Sequence, residues 1–243
     1  MVDIKKIVIV FWLGFLMIMN NSDSHARDND QYEKRRAEMV KTQIERRGVH
    51  DARVLAAMKK VERHLFVPSG QRDLAYEDYP LSIGLSQTIS QPYIVAFMTE
   101  LLNPKKTDVI LEVGTGSGYQ AAVLAELVST VCSIEIIPEL AARAKNLLQE
   151  LGYTNVQVKT GDGYLGWEEH APFDGIIITA AAEEVPLPLV KQLRNGGRMV
   201  LPVNAGPSYQ MLKIIEKDDT GKVREKDVIP VRFVPLVRQD TSR

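Results

Sequence analysis

The first sign of chemistry is the run Leu111-Glu112-Val113-Gly114-Thr115-Gly116-Ser117-Gly118, an acid followed by three glycines that alternate with hydroxyl residues. Gly114 and Gly116 allow the backbone to turn sharply and to approach a ligand closely. A dinucleotide fingerprint would place its third glycine at position 119, which is Tyr119; here it falls at Gly118. That spacing argues against a pyrophosphate and suits a nucleoside carrying an amino-acid tail, with a purely structural tight turn as the alternative. Two further acids follow. Glu135 closes the next strand candidate, where a carboxylate can accept from ribose hydroxyls. Asp162, in Gly161-Asp162-Gly163 after the third, can accept from an adenine amino group, with glycine leaving room for the ring. Each acid alone could be a solvated loop carboxylate. Three such sites at the carboxyl ends of successive strands lie where open α/β sheets bind ligands. The combination Glu112, Gly114, Thr115, Gly116, Ser117, Gly118, Glu135, Asp162 and Gly163 favours S-adenosylmethionine.

A second locus is the loop over residues 81–92, Leu-Ser-Ile-Gly-Leu-Ser-Gln-Thr-Ile-Ser-Gln-Pro. It leads into a helix predicted over 92–102, with Ser90 or Gln91 as N-cap and proline in the first turn. Backbone N–H groups and hydroxyls beside a helix N-terminus form a good place to receive an anion. Read without any family, Ser90 is an N-cap.

These residues need a frame. Strands are predicted over 109–113, 131–136, 156–160, 175–179 and 199–203, separated by helical patterns over 119–128, 138–151 and 185–193. Such alternation implies a parallel sheet covered on both faces, with right-handed crossovers. Ile176-Ile177-Ile178 is apolar on both faces, as a central parallel strand must be. Residues 211–217, a turn at 218–221 and residues 222–236 read as antiparallel strands completing one edge. Ahead of the sheet, residues 32–47 form a helix ending at Gly48, and Asp51 caps a second whose apolar side is Val54, Leu55, Met58 and Val61. Lys34-Arg35-Arg36 and Arg46-Arg47 read as solvated helix faces. The expected class is α/β, a Rossmann-like methyltransferase with a mostly parallel doubly wound sheet, N-terminal helices and an antiparallel C-terminal addition.

Composition narrows the rest. The 243 residues hold 30 Lys+Arg and 31 Asp+Glu, a net charge of −1, so a general attraction to polyanions is not expected. One cysteine, Cys132, excludes a disulfide scaffold and a cysteine-based zinc site, and its apolar neighbours mark it as a buried small hydrophobe. His25, His50, His64 and His170 lack metal-ligand spacing, and Trp167 reads as a partial core plug. Residues 1–26 differ from everything after them. Lys5-Lys6 precede an apolar stretch over 7–19, and Ser24-His25-Ala26 resembles a cleavage site, the order of a signal peptide. That stretch rises about 20 Å as a helix, against a hydrocarbon core of roughly 30 Å. The chain therefore divides into a signal-like segment, 1–26, and a single domain, 27–243. That domain comprises an N-terminal helical region with the loop over 81–92 (27–105), a cofactor-binding core (106–203) and an antiparallel end (204–243).

Ser82-Ile83-Gly84, Thr88-Ile89-Ser90-Gln91-Pro92, the glycine run through Tyr119-Gln120, Gly161-Asp162-Gly163, Ala171-Pro172-Phe173-Asp174 and Val231-Arg232-Phe233-Val234-Pro235-Leu236 together resemble the protein-L-isoaspartate O-methyltransferase family. The resemblance runs from about Glu33 to Arg238. One departure stands in the loop: family members often have Gly-Gln-Gly-Gln-Thr where this chain has Gly84-Leu85-Ser86-Gln87-Thr88. The resemblance implies methyl transfer from S-adenosylmethionine to the α-carboxylate of L-isoaspartyl, and D-aspartyl, residues in damaged proteins and peptides. It marks Ser90 as the active-site residue, Gln87, Thr88, Ile89 and Ser90 as cover for the cofactor, and Val231, Phe233, Val234, Pro235 and Leu236 as holding substrate backbone. A carboxylate is already ionised at neutral pH and a sulfonium is a strong electrophile, so neither a general base nor a metal is required.

Two other readings remain at this stage: a small-molecule O- or N-methyltransferase, and a non-catalytic nucleoside-binding protein acting after export. Nucleic-acid amino-methyltransferases carry an Asn/Asp-Pro-Pro-aromatic tetrapeptide after the fourth strand, where this chain has Thr179-Ala180-Ala181-Ala182, so a nucleic-acid substrate is not expected. A monomer is. The N-terminal segment favours the periplasm or a membrane tether, whereas the family and its cofactor supply imply the cytoplasm.

Overall fold

A computed structural model describes residues 30–206 and 209–238. The signal-like segment lies outside the described residues. Helix α1 spans 30–39 and continues through a π-turn, Val40–Ile44, and a 3-10 turn, Glu45–Arg47, before Gly48 ends it at φ 96°. The helix predicted over 32–47 is thus present, but its second half changes pitch. Val40, Thr42 and Ile44 crowd that stretch with β-branched side chains, and the Thr42 hydroxyl donates back to the Glu38 carbonyl. Helix α2, Ala52–Lys60, is capped by Asp51, whose carboxylate accepts from the Arg53 N–H. Val54, Met58 and Val61 are buried, as the spacing requires.

Arg36 is a correction. It is buried: its guanidinium donates to the Tyr76 hydroxyl at 3.2 Å and faces Glu62 at 3.8 Å. His64 is buried beside it, stacked on Tyr32 with ring centroids 4.0 Å apart and 2.7 Å from the Tyr76 hydroxyl. Burial and the nearby Arg36 and Arg72 cations push the His64 pKa down to about 4, so the ring is neutral at pH 7. This polar cluster pins α1 to the segment that carries the active-site loop.

That loop is a two-stranded antiparallel hairpin, β1 (Leu81–Gly84) with β2 (Gln87–Ile89), followed by α3, Pro92–Leu102. The main sheet follows: β3 (Val109–Val113), α4 (Tyr119–Ala125), β4 (Thr130–Glu135), α5 (Pro138–Glu150), β5 (Val156–Thr160), β6 (Phe173–Ile178), α6 (Leu187–Gln192), β7 (Leu193–Asn204), β8 (Gln210–Lys217) and β9 (Val223–Val231). Its order is β5-β4-β3-β6-β7-β8-β9, parallel through β7 and antiparallel at β8 and β9. The doubly wound sheet and its antiparallel edge agree with the sequence.

Apolar residues alternate between the two faces. Ile110, Ile177 and Val200 enter the core beneath α3 and α4, while Leu111, Ile176, Ile178, Met199 and Leu201 enter the core on the opposite face with α6. Cys132 is fully buried, its thiol pKa pushed up to about 11. Trp167 packs partly buried against the second core. Chain order reverses at β3: the chain steps outward through β4 and β5, then returns to place β6 on the other side of β3. The carboxyl ends of β3 and β6 therefore open a crevice, the usual ligand position in such sheets.

Candidate active site

Gly114 follows β3 at the switch point with φ 95°. A Cβ there would sit 2.5 Å from the Thr179 hydroxyl oxygen, just after β6. That hydroxyl donates to the carbonyls of Gly114, at 2.6 Å, and of Val113, at 3.1 Å, so it ties the two strand ends together. Gly114, Thr115, Gly116 and Ser117 line one cavity with Thr88, Ile89, Ser90 and Thr179. A neighbouring cavity of about 170 Å³ joins Gly114 and Gly116 to Gln87, Thr88, Glu135 and Gly163. A Cβ at Gly163 would lie 2.3 Å from a Val113 methyl, so the chain there runs hard against β3. Glu135 faces this space with one carboxylate oxygen accepting from Gly116 N–H at 2.8 Å and the other from Ile137 N–H at 3.0 Å.

Three of the expected cofactor residues, Glu112, Gly118 and Asp162, are not among the residues lining these two cavities. Glu112 is fully buried and lines neither cavity. Its side chain alternates to the inner face of β3, opposite Ser133 of β4. Ser133 donates to one Glu112 oxygen, Thr115 lies 2.6 Å from the Ser133 hydroxyl, and the other Glu112 oxygen has no partner. Burial, with a smaller push from Glu135, raises the Glu112 pKa to about 8, so the acid is mostly neutral at pH 7. Gly118, at φ 86°, packs against Ala144 and Leu148 of α5 and serves helix packing. Asp162 caps the short turn Gly163–Leu165 through Tyr164 N–H and faces Arg238 at 4.0 Å, and its neighbour Gly163, also expected at the cofactor, lines the cavity.

Ser90 follows β2 and is half-buried. The N-cap of α3 is Gln91, without a side-chain cap, and the Ser90 hydroxyl has no hydrogen-bond partner among the described residues. It lines both the glycine-loop cavity and a wider cleft of about 600 Å³. Thr88 and Thr179 border both as well. The hairpin that presents Thr88 and Ser90 turns through Leu85 and Ser86, both left-handed, with φ 53° and 59°. Consecutive positive φ values suit the tight hairpin turn that Asn and Gly favour. Leu and Ser hold it at a cost on the order of 1 kcal/mol each.

The C-terminal segment departs from expectation in two ways. The strand predicted to reach residue 236 stops at Val231, because the chain then crosses to Ala181: Ala181 N–H donates to Val234 C=O and Leu236 N–H to Ala181 C=O, each at 2.8 Å. Val231, Phe233 and Val234 line the wide cleft, whereas Pro235 and Leu236, expected beside substrate, line the cavity of Glu135. Main-chain groups expected to hold substrate are also engaged. Gln210 accepts from Phe233 N–H at 2.6 Å and donates to Phe233 C=O at 3.0 Å. Phe233 therefore offers the cleft its ring and not its peptide groups.

Arg47, Pro80, Tyr93, Ile94, Thr179, Ile229, Pro230 and Arg232 also line the cleft. Thr179 was findable, since it stands one residue past a predicted strand at the carboxyl edge. Arg47 was not: nothing in a basic pair at a helix end announces that its guanidinium lies 3.7 Å from the Tyr93 ring centroid. Among the described residues no group of three or more His, Cys, Asp or Glu could hold a metal ion, and no helix is long and apolar enough to cross a membrane.

Comparison with known proteins agrees with this geometry. The model of the protein-L-isoaspartate(D-aspartate) O-methyltransferase family matches residues 34–241. Protein-L-isoaspartate O-methyltransferase 2 of Syntrophobacter fumaroxidans is 50% identical over 241 residues, covering 96% of this chain and 98% of its own. Protein-L-isoaspartate O-methyltransferase 1 of Nitrosospira multiformis is 56% identical over 208 residues, covering 85% and 88%. A solved protein-L-isoaspartate O-methyltransferase superposes with TM-score 0.74 at 30% identity, over 82% of this chain and 65% of that longer one. A Plasmodium falciparum structure described as the same kind of enzyme, in complex with S-adenosyl-L-homocysteine, gives 0.73 at 24% identity over 84% and 99%. The chain belongs to the protein-L-isoaspartate(D-aspartate) O-methyltransferase family.

Proposed function

We infer that this chain transfers a methyl group from S-adenosylmethionine to the α-carboxylate of L-isoaspartyl residues, and D-aspartyl residues, in damaged proteins. The ester then collapses to a succinimide, whose hydrolysis returns part of the product as normal aspartate. The observation that carries the mechanism is Ser90: a hydroxyl without a partner among the described residues, on the wall shared by the glycine-loop cavity and the wide cleft. The residues fit the cofactor. Gly114 brings bare backbone to the cavity where a Cβ has no room, and Glu135 holds a carboxylate at its edge.

The cofactor supplies a methyl carbon on a sulfonium, which bonds to a carboxylate oxygen while the sulfur leaves with the electron pair. No proton moves, because the substrate acid is already ionised. The protein's task is alignment and exclusion of water. Ser90 donates to one carboxylate oxygen and leaves the other free to attack. Ile94, Phe233 and Val234 present apolar surface around it. Ser90→Ala is expected to lower kcat about 10- to 100-fold, the loss of one well-placed hydrogen bond, with cofactor affinity within about threefold. The readout is base-labile label on an isoaspartyl peptide, with its aspartyl twin as control. Equal labelling of both peptides by the native chain would remove the isoaspartyl assignment, and an undiminished kcat in the variant would remove Ser90's role.

We propose further that the chain acts as a monomer, that its polymer substrate is protein and not nucleic acid, and that residues 1–26 direct export or a membrane tether. The net charge of −1 supports the second statement, and the n-region, apolar stretch and Ser24-His25-Ala26 the third. Amino-terminal sequencing of the protein from cells should find a start near Arg27; an intact Met1 in the soluble cytoplasm overturns export.

A further inference from the structure

The wide cleft around Ser90 is lined by two charged side chains, Arg47 and Arg232, and by no carboxylate. The two are not equivalent. Arg47 pairs with Asp78 at 3.0 and 3.3 Å, and Asp78 also accepts from the Gln91 amide at 2.7 Å. Its guanidinium lies on the Tyr93 ring as well, so its charge is answered inside the protein. Arg232, by contrast, has no hydrogen bond, ion pair or ring contact among the described residues. Its backbone is nonetheless fixed from both sides: Val231 pairs with Gln210 in the β8–β9 ladder, and the Gln210 amide grips both peptide groups of Phe233. A cation without a partner among the described residues thus stands, its backbone held on both sides, beside the place a peptide must occupy.

We propose that Arg232 is a specificity-determining residue that favours isoaspartyl segments carrying an acidic residue beside the isoaspartate and disfavours those carrying lysine or arginine. The proposal rests on the isoaspartyl reading of the site. Flexible segments of many sequences could dock through main-chain bonds alone, which would leave side chains unread. Here both peptide groups of Phe233 are taken by the Gln210 amide and the Val234 carbonyl by Ala181 N–H, so less of that sequence-blind recognition is on offer. What remains is an apolar trough with a net positive charge. Arg232 is exposed at the rim of the cleft, so its field is partly screened by solvent but still reaches a side chain a few ångströms away, well within a Debye length of roughly 8–10 Å. A role on the attacking carboxylate itself is the poorer use of this cation. A guanidinium fork would occupy the lone pairs that must reach the methyl carbon, whereas one serine hydroxyl leaves them available.

The test uses the native chain, Arg232→Gln and Arg232→Glu with three isoaspartyl peptides that differ only in a Glu, Gln or Lys beside the isoaspartate. The native chain should rank them Glu over Gln over Lys. The Glu-to-Lys ratio of kcat/KM should be about three- to tenfold, carried in KM, and should shrink as salt is raised. Arg232→Gln should bring the ratio to within about twofold and Arg232→Glu should invert it. Equal kcat/KM for the Glu and Lys peptides with the native chain, or an order that survives Arg232→Glu, overturns the proposal. Methylation of none of the three peptides removes the isoaspartyl reading itself, and this inference with it; methylation without discrimination removes only the inference.

Discussion

Gly114→Ala is expected to weaken cofactor affinity by 100-fold or more while leaving a folded chain. Two independent effects meet at this residue. Its φ of 95° puts any L side chain in a strained conformation, and the new Cβ would lie 2.5 Å from the Thr179 hydroxyl oxygen. Relief requires Thr179 to swing away, which breaks the two hydrogen bonds that join the ends of β3 and β6. A combined cost of about 3 kcal/mol corresponds to roughly 100-fold in binding. Gly116 provides the contrast. Its φ is 53°, and a Cβ would meet nothing nearer than an Ile83 methyl at 3.6 Å, so Gly116→Ala carries the backbone term alone and should lose about tenfold or less. Titration calorimetry with S-adenosyl-L-homocysteine, after circular dichroism confirms the fold, separates the two. Equal losses in both variants would show that the Thr179 clasp does not shape the loop.

Glu112 should reveal itself through pH. Its carboxyl, raised to about 8 by burial, has an ordinary value of 4.5. Between those values the unfolded chain has released a proton that the folded chain retains, so the folded state loses stability as pH rises. This contribution is complete below about pH 4.5, declines across the interval, and is exhausted above about pH 8. It amounts to on the order of 5 kcal/mol in total. Glu112→Gln keeps the shape and an acceptor for Ser133 but cannot ionise, so it should abolish this slope in urea midpoints measured at pH 5, 7 and 9. Glu112→Ala, which cannot ionise either, should be destabilised by about 2–4 kcal/mol at pH 5, from the cavity and the stranded Ser133 hydroxyl, and that deficit should disappear by pH 9 as the native chain loses the stability tied to its neutral acid. Identical slopes in the native chain and Glu112→Gln would mean that the acid is charged where it lies.

Much of the frame was legible because it follows from periodicity. The alternation of Ile176, Ile177 and Ile178 between two cores and the caps at Asp51 and Gly48 are local rules that tertiary packing did not override. The same holds for the glycine run at the turn after β3. What failed depended on where a neighbouring element lies. An acid before a glycine loop reads alike whether it faces ligand or core, and only the β3–β4 register, which sets Glu112 opposite Ser133, decides. Arg36 looked solvated because Glu62 and Tyr76 are 26 and 40 residues away in sequence. The hairpin at Leu85-Ser86 was hidden for a different reason: it places two residues in left-handed conformations without the Asn or Gly that signals such a turn.

The crossing of the C-terminal segment onto Ala181 has a consequence for how the two ligands sense each other. Val234 lines both the cavity of Glu135 and the cleft of Ser90, with Pro235 and Leu236 on one side of it and Val231 and Phe233 on the other. One short stretch of chain, held at Ala181 and Gln210, is thus a common wall. A ligand that orders this wall from one side lowers the entropy that the second must still remove, so the two should bind with positive cooperativity. Such coupling is reciprocal: whatever factor the nucleoside lends to peptide affinity, the peptide returns to the nucleoside. The spent nucleoside product is held by the same wall, so peptide that accumulates after turnover would slow its release, and inhibition at high substrate is written into the way this chain closes its sheet.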